Sequence, residues 1–126
     1  MRLHHVQLCL PRGGEHAARR FYIEGLGMTE VEKPVGLRGR GGCWFRSYDG
    51  QGDVLAEIHL GVEEPFAPAR KAHPGLLVDD LDAVSGRLQE LGFALDHTER
   101  ETFEGYLRFH TYDAAGNRVE IMSLAG

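Results

Sequence analysis

The feature that most constrains the fold is an internal repeat, because the two halves of the chain carry the same short motifs in the same order. LGM at Leu26 matches LGF at Leu91, and AEI at Ala56 matches VEI at Val119. The offset between matched positions stays between about 63 and 68 residues. A unit of about 60 residues is only marginally stable by itself. We therefore expect the two copies to pack together and to share one cleft.

Each copy is typical of a strand, a helix and three further strands. Alternating apolar residues predict the first strand, and GGEHAARRFYIEGLG predicts a helix that ends near Gly25. In the second copy Asp79, Asp80 and Asp82 suit the start of a helix, where carboxylates cap free N–H groups and complement the helix dipole. The sequence predicts an α+β fold, in which tandem βαβββ repeats form a cupped mixed sheet with helices on its outer face.

The predicted organisation is a single domain that spans residues 1–126. Repeat one covers about residues 1–62, a proline-containing linker covers residues 63–71, and repeat two covers about residues 72–126. The glycine- and arginine-rich stretch GLRGRGG at residues 36–42 is predicted to form a mobile loop near the cleft.

Composition excludes several functional classes. The chain has 126 residues, a hydrophobic fraction of 42% and a net charge of −5, so a nucleic-acid partner is not expected. No apolar run approaches the roughly 18 residues of a membrane span, and no leader peptide is visible at the start. Two cysteines cannot form a disulfide framework. We therefore expect a cytoplasmic protein with a small-molecule substrate and no membrane partner.

Four residues that commonly bind metals occupy matched positions in the two copies: His5, Glu57, His73 and Glu120. Each is predicted to lie on a strand whose flanking apolar residues take the other face, so the four side chains point into one concave surface. Imidazole and carboxylate groups together suit a divalent metal such as Zn, Ni, Fe or Mn. His59 faces the same way as Glu57 and is either an alternative ligand or a substrate contact.

Other side chains on the same strand faces are candidates for substrate binding. They are Trp44, Arg46, Arg108 and His110. The two arginines and His110 suit an anionic substrate, although ordinary polar residues on a strand show the same pattern. His4 is assigned to the outer face, with a structural role.

Five segments together resemble the vicinal oxygen chelate superfamily: LHHVQLCL, FYIEGLGM, EIHLG, HPGLLVDDLDA and GNRVEIM. This family includes glyoxalase I, extradiol dioxygenases, fosfomycin-modifying thiol transferases and bleomycin-binding proteins, and the resemblance covers nearly the whole chain. It implies tandem βαβββ repeats with one divalent metal in a shared cup. The glyoxalase I-like branch implies the ligands His5, Glu57, His73 and Glu120, whereas the dioxygenase and thiol-transferase branches imply only His5, His73 and Glu120.

Two classes of function follow from these patterns. The first is a metal-dependent enzyme, a lyase or isomerase acting on a small substrate with vicinal oxygens, in which Glu120 or Glu57 is the catalytic base. With Fe(II) and three ligands, the alternative is an extradiol-type dioxygenase. The second class is a metal-free resistance protein that binds a drug or metabolite. We also expect a homodimer, because half-open sheets leave edges that a twofold partner can cover.

Overall fold

The computed structural model describes all residues from 1 to 126 and contains two four-stranded sheets. The strands in chain order are β1 (Val6–Leu10), β2 (Thr29–Val31), β3 (Cys43–Tyr48), β4 (Val54–Val62), β5 (Gly75–Leu77), β6 (Leu95–Asp96), β7 (Tyr106–Tyr112) and β8 (Arg118–Leu124). The α-helices are α1 (Glu15–Arg19) and α2 (Leu81–Glu90). No helix has both the length and the apolar character needed to cross a bilayer.

The two sheets have the same topology, which confirms the predicted α+β fold of tandem βαβββ repeats. The strand orders are β1-β4-β3-β2 and β5-β8-β7-β6. In each sheet the first strand of the repeat pairs in parallel with the last, and the other pairs are antiparallel. Each sheet is open, with the first strand of its repeat at one edge.

Local structure differs from the sequence-based expectations at three places. Helix α1 ends at Arg19 and continues as a π-helical turn over Arg20–Gly25. The predicted loop at residues 36–42 overlaps a 3-10 helix, Val35–Arg40, whose first turn is closed by a hydrogen bond from Leu37 N–H to the Pro34 carbonyl. His5 and His73 precede β1 and β5 instead of lying within these strands.

Both repeats contribute to one hydrophobic core. Alternate residues of β4 and β8, such as Ile58 and Ile121, are about 1% exposed or less and pack with residues from the helices. The π-helical turn that follows α1 approaches α2 very closely at Gly25, where an added Cβ atom would lie only 2.6 Å from Leu88 Cδ2. Glycine therefore allows the helices of the two repeats to meet.

A buried polar network also joins the repeats. The Tyr22 hydroxyl donates to Asp113 Oδ2 at 2.7 Å, and Asn117 Nδ2 donates to the same oxygen at 3.0 Å. Asn117 Nδ2 also donates to the Cys9 carbonyl at 2.7 Å, which ties the β7–β8 turn to β1. Burial raises the pKa of Tyr22 well above its usual range, so this hydroxyl remains a donor.

Replacing the Tyr22 hydroxyl tests this network. Tyr22→Phe leaves the Asp113 carboxylate with one donor fewer, and we expect the free energy of unfolding to fall by about 1–3 kcal/mol. Chemical denaturation measures the change. Tyr112→Phe is the matched control, because Tyr112 is 41% exposed. Equal stabilities of the two variants would contradict a role for the network in joining the repeats.

Candidate functional site

Two polar clusters lie at equivalent positions in the two repeats. The first-repeat cluster consists of His5, Trp44, Arg46, Glu57 and His59. The second-repeat cluster consists of His73, Arg108, His110 and Glu120. Strand register places Arg46 directly opposite Glu57 and His110 directly opposite Glu120. Arg46 and His110 are therefore structural equivalents.

In the first-repeat cluster, both carboxylate oxygens of Glu57 are engaged. Arg46 Nε donates to Oε1 at 2.7 Å, and His59 Nε2 lies 2.6 Å from Oε2. Burial alone raises the pKa of Glu57, but the hydrogen bonds from His59 and Arg46 outweigh burial and hold this pKa below its usual value. Burial lowers the pKa of His59 more than Glu57 raises it. The result is an ionised carboxylate whose charge is balanced by Arg46.

A stack of three rings fixes the orientation of His59. The Trp44 ring is parallel to the His59 ring with centroids 3.7 Å apart, and the His5 ring stacks on His59 at 4.0 Å. His4 packs edge-on against His5, and their Nδ1 atoms are 3.0 Å apart. His4 and His5 are both exposed, whereas His59 is buried.

In the second-repeat cluster, Glu120 is held from two sides. Its Oε1 lies 2.9 Å from His73 Nε2, and its Oε2 accepts from Arg108 Nη1 at 3.1 Å. Burial alone raises the pKa of Glu120, but His73 and Arg108 outweigh it and hold this pKa below its usual value. His73 Nδ1 lies 2.6 Å from the Lys71 carbonyl oxygen, which fixes the plane of the ring. Glu120 is therefore also an ionised, buried carboxylate.

His110 is the one buried side chain of these clusters that forms no hydrogen bond. Its Nδ1 is buried without a partner, and its Nε2 lies 3.9 Å from Glu120 Oε1, beyond hydrogen-bond range. The residue is only 2% exposed. Burial lowers the pKa of His110, which favours the neutral ring that binds metals.

The second-repeat cluster has the composition and spacing of a metal site. One ligand atom each from His73, His110 and Glu120 lies within 4.8 Å of the others, and no other group of three or more possible ligands is this close. Ligands about 2.0–2.1 Å from a tetrahedral metal are about 3.3 Å apart. The two distances from a histidine Nε2 to Glu120 Oε1, 2.9 and 3.9 Å, bracket that value. A divalent metal that accepts imidazole and carboxylate ligands fits between these groups.

The predicted metal ligands are distributed over both repeats. His5, Glu57 and His73 line one cavity of about 740 Å³, and Gly75, which also lines it, lies beside the Glu120 carboxylate. His5 and Glu57 are not part of the close group that contains His73 and Glu120. The four-residue ligand set, the base role of Glu120 or Glu57 and the three-ligand alternative stay predictions.

The predicted substrate contacts lie outside this cavity. Neither it nor a second cavity of about 440 Å³ is lined by Trp44, Arg46, His59, Arg108 or His110. Sequence reasoning assigned His110 to substrate binding and did not place it with the possible ligands. The sequence does place His110 on the same strand face as Arg108, in a hairpin with the strand of Glu120. It does not specify the register between these two strands, so it could not show that His110 stands opposite Glu120.

Comparisons with known proteins agree with this architecture. The family model of the Glyoxalase/Bleomycin resistance protein/Dioxygenase superfamily matches residues 2–121. A glyoxalase family protein from Bacillus anthracis is 38% identical, with a TM-score of 0.84, and the match covers 99% of this chain and 100% of that chain. None of the curated proteins matches the sequence.

Two more distant structures show the same fold. TnmS3, an antibiotic binding protein from Streptomyces sp. CB03234, is 24% identical with a TM-score of 0.67, and 99% of each chain is covered. The fosfomycin resistance protein FosX from Listeria monocytogenes is 15% identical with a TM-score of 0.72, and the match covers 99% of this chain and 94% of FosX. With its duplicated βαβββ fold and the family match over nearly its full length, the chain belongs to the Glyoxalase/Bleomycin resistance protein/Dioxygenase superfamily.

Proposed function

We propose that the chain is a divalent-metal-dependent enzyme, a lyase or isomerase that acts on a small substrate with two adjacent oxygens. The observation that carries the proposal is the convergence of two histidines and a carboxylate in the second-repeat cluster, where His110 lacks any other partner. A bound divalent cation supplies Lewis-acid stabilisation of an oxyanion or enolate. Proton transfer and substrate binding are assigned to side chains of the two clusters.

The carboxylates are the candidates for proton transfer. Glu120 and Glu57 are both ionised at neutral pH, because hydrogen bonds to cationic or N–H groups outweigh the effect of burial on their pKa values. Glu120 is our first choice for the base, because it lies in the proposed metal cluster and its Oε1 contacts His73. Glu57 is its repeat equivalent and the alternative.

The arginines and aromatic rings of the clusters are proposed to hold the substrate. Arg46 and Arg108 each contact a carboxylate, and their side chains are 36% and 18% exposed, so both keep access to an incoming anionic group. Trp44 stacks on the buried His59 ring, which holds the indole ring in one orientation. In this arrangement His110 either contacts the substrate or binds the metal.

A metal-free binding protein is the second candidate function. The 740 Å³ cavity between the repeats has the size of a drug-binding pocket and is lined mostly by hydrophobic residues. The likeness in fold to TnmS3, described as an antibiotic binding protein, agrees with this alternative. An Fe(II) extradiol-type dioxygenase is the alternative within the metal-dependent class. Stoichiometric metal in the purified protein separates an enzyme of this kind from a metal-free binder.

We also propose that the chain forms a homodimer. Leu3, Leu55 and Leu77 are between 61% and 82% exposed, and all three line the 740 Å³ cavity beside His5 and His73. Apolar side chains grouped at the mouth of a cavity are typical of a surface that a partner covers. A second copy of the chain is the proposed partner, because the edge strands β1 and β5 are unpaired on one side.

Removing His73 tests the metal site. His73→Ala deletes one of the close ligand atoms, and we expect most of the bound divalent metal to be lost. Metal content after equilibrium dialysis, measured by mass spectrometry, gives the occupancy. His16→Ala, at an exposed position on α1, is the control and retains the metal. Full occupancy with unchanged affinity in His73→Ala would show that the metal lies elsewhere.

Separate Glu120→Gln and Glu57→Gln variants test the base. Glutamine keeps the size and one oxygen of the side chain but removes the proton acceptor. We expect the variant that lacks the base to lose at least about 100-fold in turnover of a 1,2-dioxygenated substrate, measured on protein whose metal content has been confirmed. Near-normal turnover in both metal-loaded variants would exclude carboxylate-base catalysis.

Sedimentation tests the dimer. We expect twice the chain mass at micromolar concentration, and Leu55→Asp is expected to shift the protein toward the monomer because it places a charge in the proposed interface. Val35→Asp is the control, since Val35 is 77% exposed but does not line the cavity. A wild-type monomer under these conditions would contradict the proposal.

A further inference from the structure

A second cavity lies between strand β1 and the linker that joins the repeats. Its volume is about 440 Å³, within the range of cavities that hold small ligands. Residues 6–9 of β1 form one wall, and Phe66, Ala67 and Ala69 of the linker form the other. His73 lines both this cavity and the larger one, so the two spaces adjoin. We call the smaller space the β1 slot.

The β1 wall of the slot carries main-chain groups that the rest of the chain does not use. In a parallel pair, alternate residues of a strand direct their N–H and C=O groups to its partner, and the residues between them direct theirs to the opposite edge. Leu10 faces β4, because its carbonyl accepts from Glu63 N–H, whereas the Cys9 carbonyl accepts from Asn117 on the other side.

Gln7 has the same backbone direction as Cys9, because the two residues are two positions apart on one strand. The Gln7 N–H, the Gln7 carbonyl and the Cys9 N–H therefore face the slot, and none of them forms a hydrogen bond within the chain. Two donors and one acceptor in a row form the edge to which an extended chain adds as a further strand.

The end of the slot where the linker begins carries oxygen atoms. Asn117 is only 6% exposed and donates through Nδ2 to the Cys9 carbonyl and to Asp113, but its Oδ1 accepts no hydrogen bond from the chain. Glu63 also lines the slot. Burial raises the pKa of the Cys9 thiol and the charge of Glu63 raises it further, which indicates that this carboxylate lies near Cys9. An ammonium group suits this end.

We propose that the β1 slot binds the amino-terminal end of a short free peptide in an extended conformation. The ammonium group lies near Glu63 and Asn117, so the peptide runs antiparallel to β1. Its first residue accepts from the Cys9 N–H, and its third residue exchanges two hydrogen bonds with Gln7. Small apolar side chains fit best, because the facing wall consists of Phe66 and alanines.

The length of the slot limits the peptide. Residues 6–9 extend over about 10 Å, which about four extended residues fill. The site is separate from the metal dependence proposed above, so either proposal can fail without the other.

Titration of tetraalanine into ¹⁵N-labelled wild-type protein tests the site. We expect the amide resonances of Gln7 and Cys9 to shift with saturation, because both N–H groups gain an acceptor. N-acetyl-tetraalanine lacks the ammonium group, and an analogue with an ester in place of the third residue's amide lacks the donor to the Gln7 carbonyl. Both are expected to bind at least about fivefold more weakly.

Substitutions at Gln7 separate main-chain from side-chain recognition. Gln7→Pro removes an N–H that bonds nothing in the chain, at an edge where proline is tolerated, and is expected to weaken tetraalanine binding at least about fivefold. Gln7→Ala keeps the N–H and is expected to stay within about twofold of wild type. The ester analogue makes the same test on unaltered protein if Gln7→Pro does not fold.

A second pair of variants tests the ammonium site. Glu63→Gln is expected to weaken binding of tetraalanine about threefold and to leave binding of the acetylated peptide unchanged. Glu64→Gln is the control, because the Glu64 carboxylate binds Arg12 and does not line the slot.

Several results would overturn the proposal. One is the absence of shifts at about 10 mM tetraalanine, well above the Kd of about 1 mM of a weak complex. Another is a set of shifts confined to residues of the larger cavity, such as Glu57 and Gly75, which would place the peptide there. Equal affinity of Gln7→Pro and Gln7→Ala, or of tetraalanine and its acetylated form, would show that the strand edge or the ammonium site is not used.

Discussion

The structure depends on the burial of both faces of β4 and β8. On one face Ile58 and Ile121 pack in the core, and on the other Glu57 and Glu120 are each 6% exposed. Desolvating an unpaired carboxylate costs far more than burying an apolar side chain contributes. Each carboxylate must therefore be surrounded by donors, and this requirement determines the composition of both polar clusters.

The two repeats meet the same requirement in different ways. In the first, Arg46 and His59 satisfy both oxygens of Glu57, so the cluster is electrostatically complete. In the second, Arg108 satisfies one oxygen of Glu120, and the other lies between two histidines of which only His73 is bonded to it. Both carboxylates thus have each oxygen bonded, and the repeats differ in that His110, which forms no hydrogen bond, stands opposite Glu120 where Arg46 stands opposite Glu57.

Packing between the repeats brings part of each cluster to a common cavity. The contact at Gly25 and the Tyr22–Asp113 hydrogen bond hold the helices and the β7–β8 turn together across the two units. His5 from one repeat and His73 from the other then line the same space. The strand orders place β1 and β5 at the edges of their sheets.

The sequence by itself determined the repeat, the fold class and the strand faces. Alternation of apolar residues around Glu57 and Glu120 was sufficient to predict that the two carboxylates lie on equivalent strands and point away from the apolar face, because side-chain direction in a strand has a period of two. Only the tertiary structure decided which side chain stands opposite each carboxylate. The pairing of His110 with Glu120 and of Arg46 with Glu57 depends on cross-strand register, which hairpin geometry and a register shift at Ser47 and Tyr48 set. The partners of a buried charge depend on these long-range contacts, and local sequence patterns do not specify them.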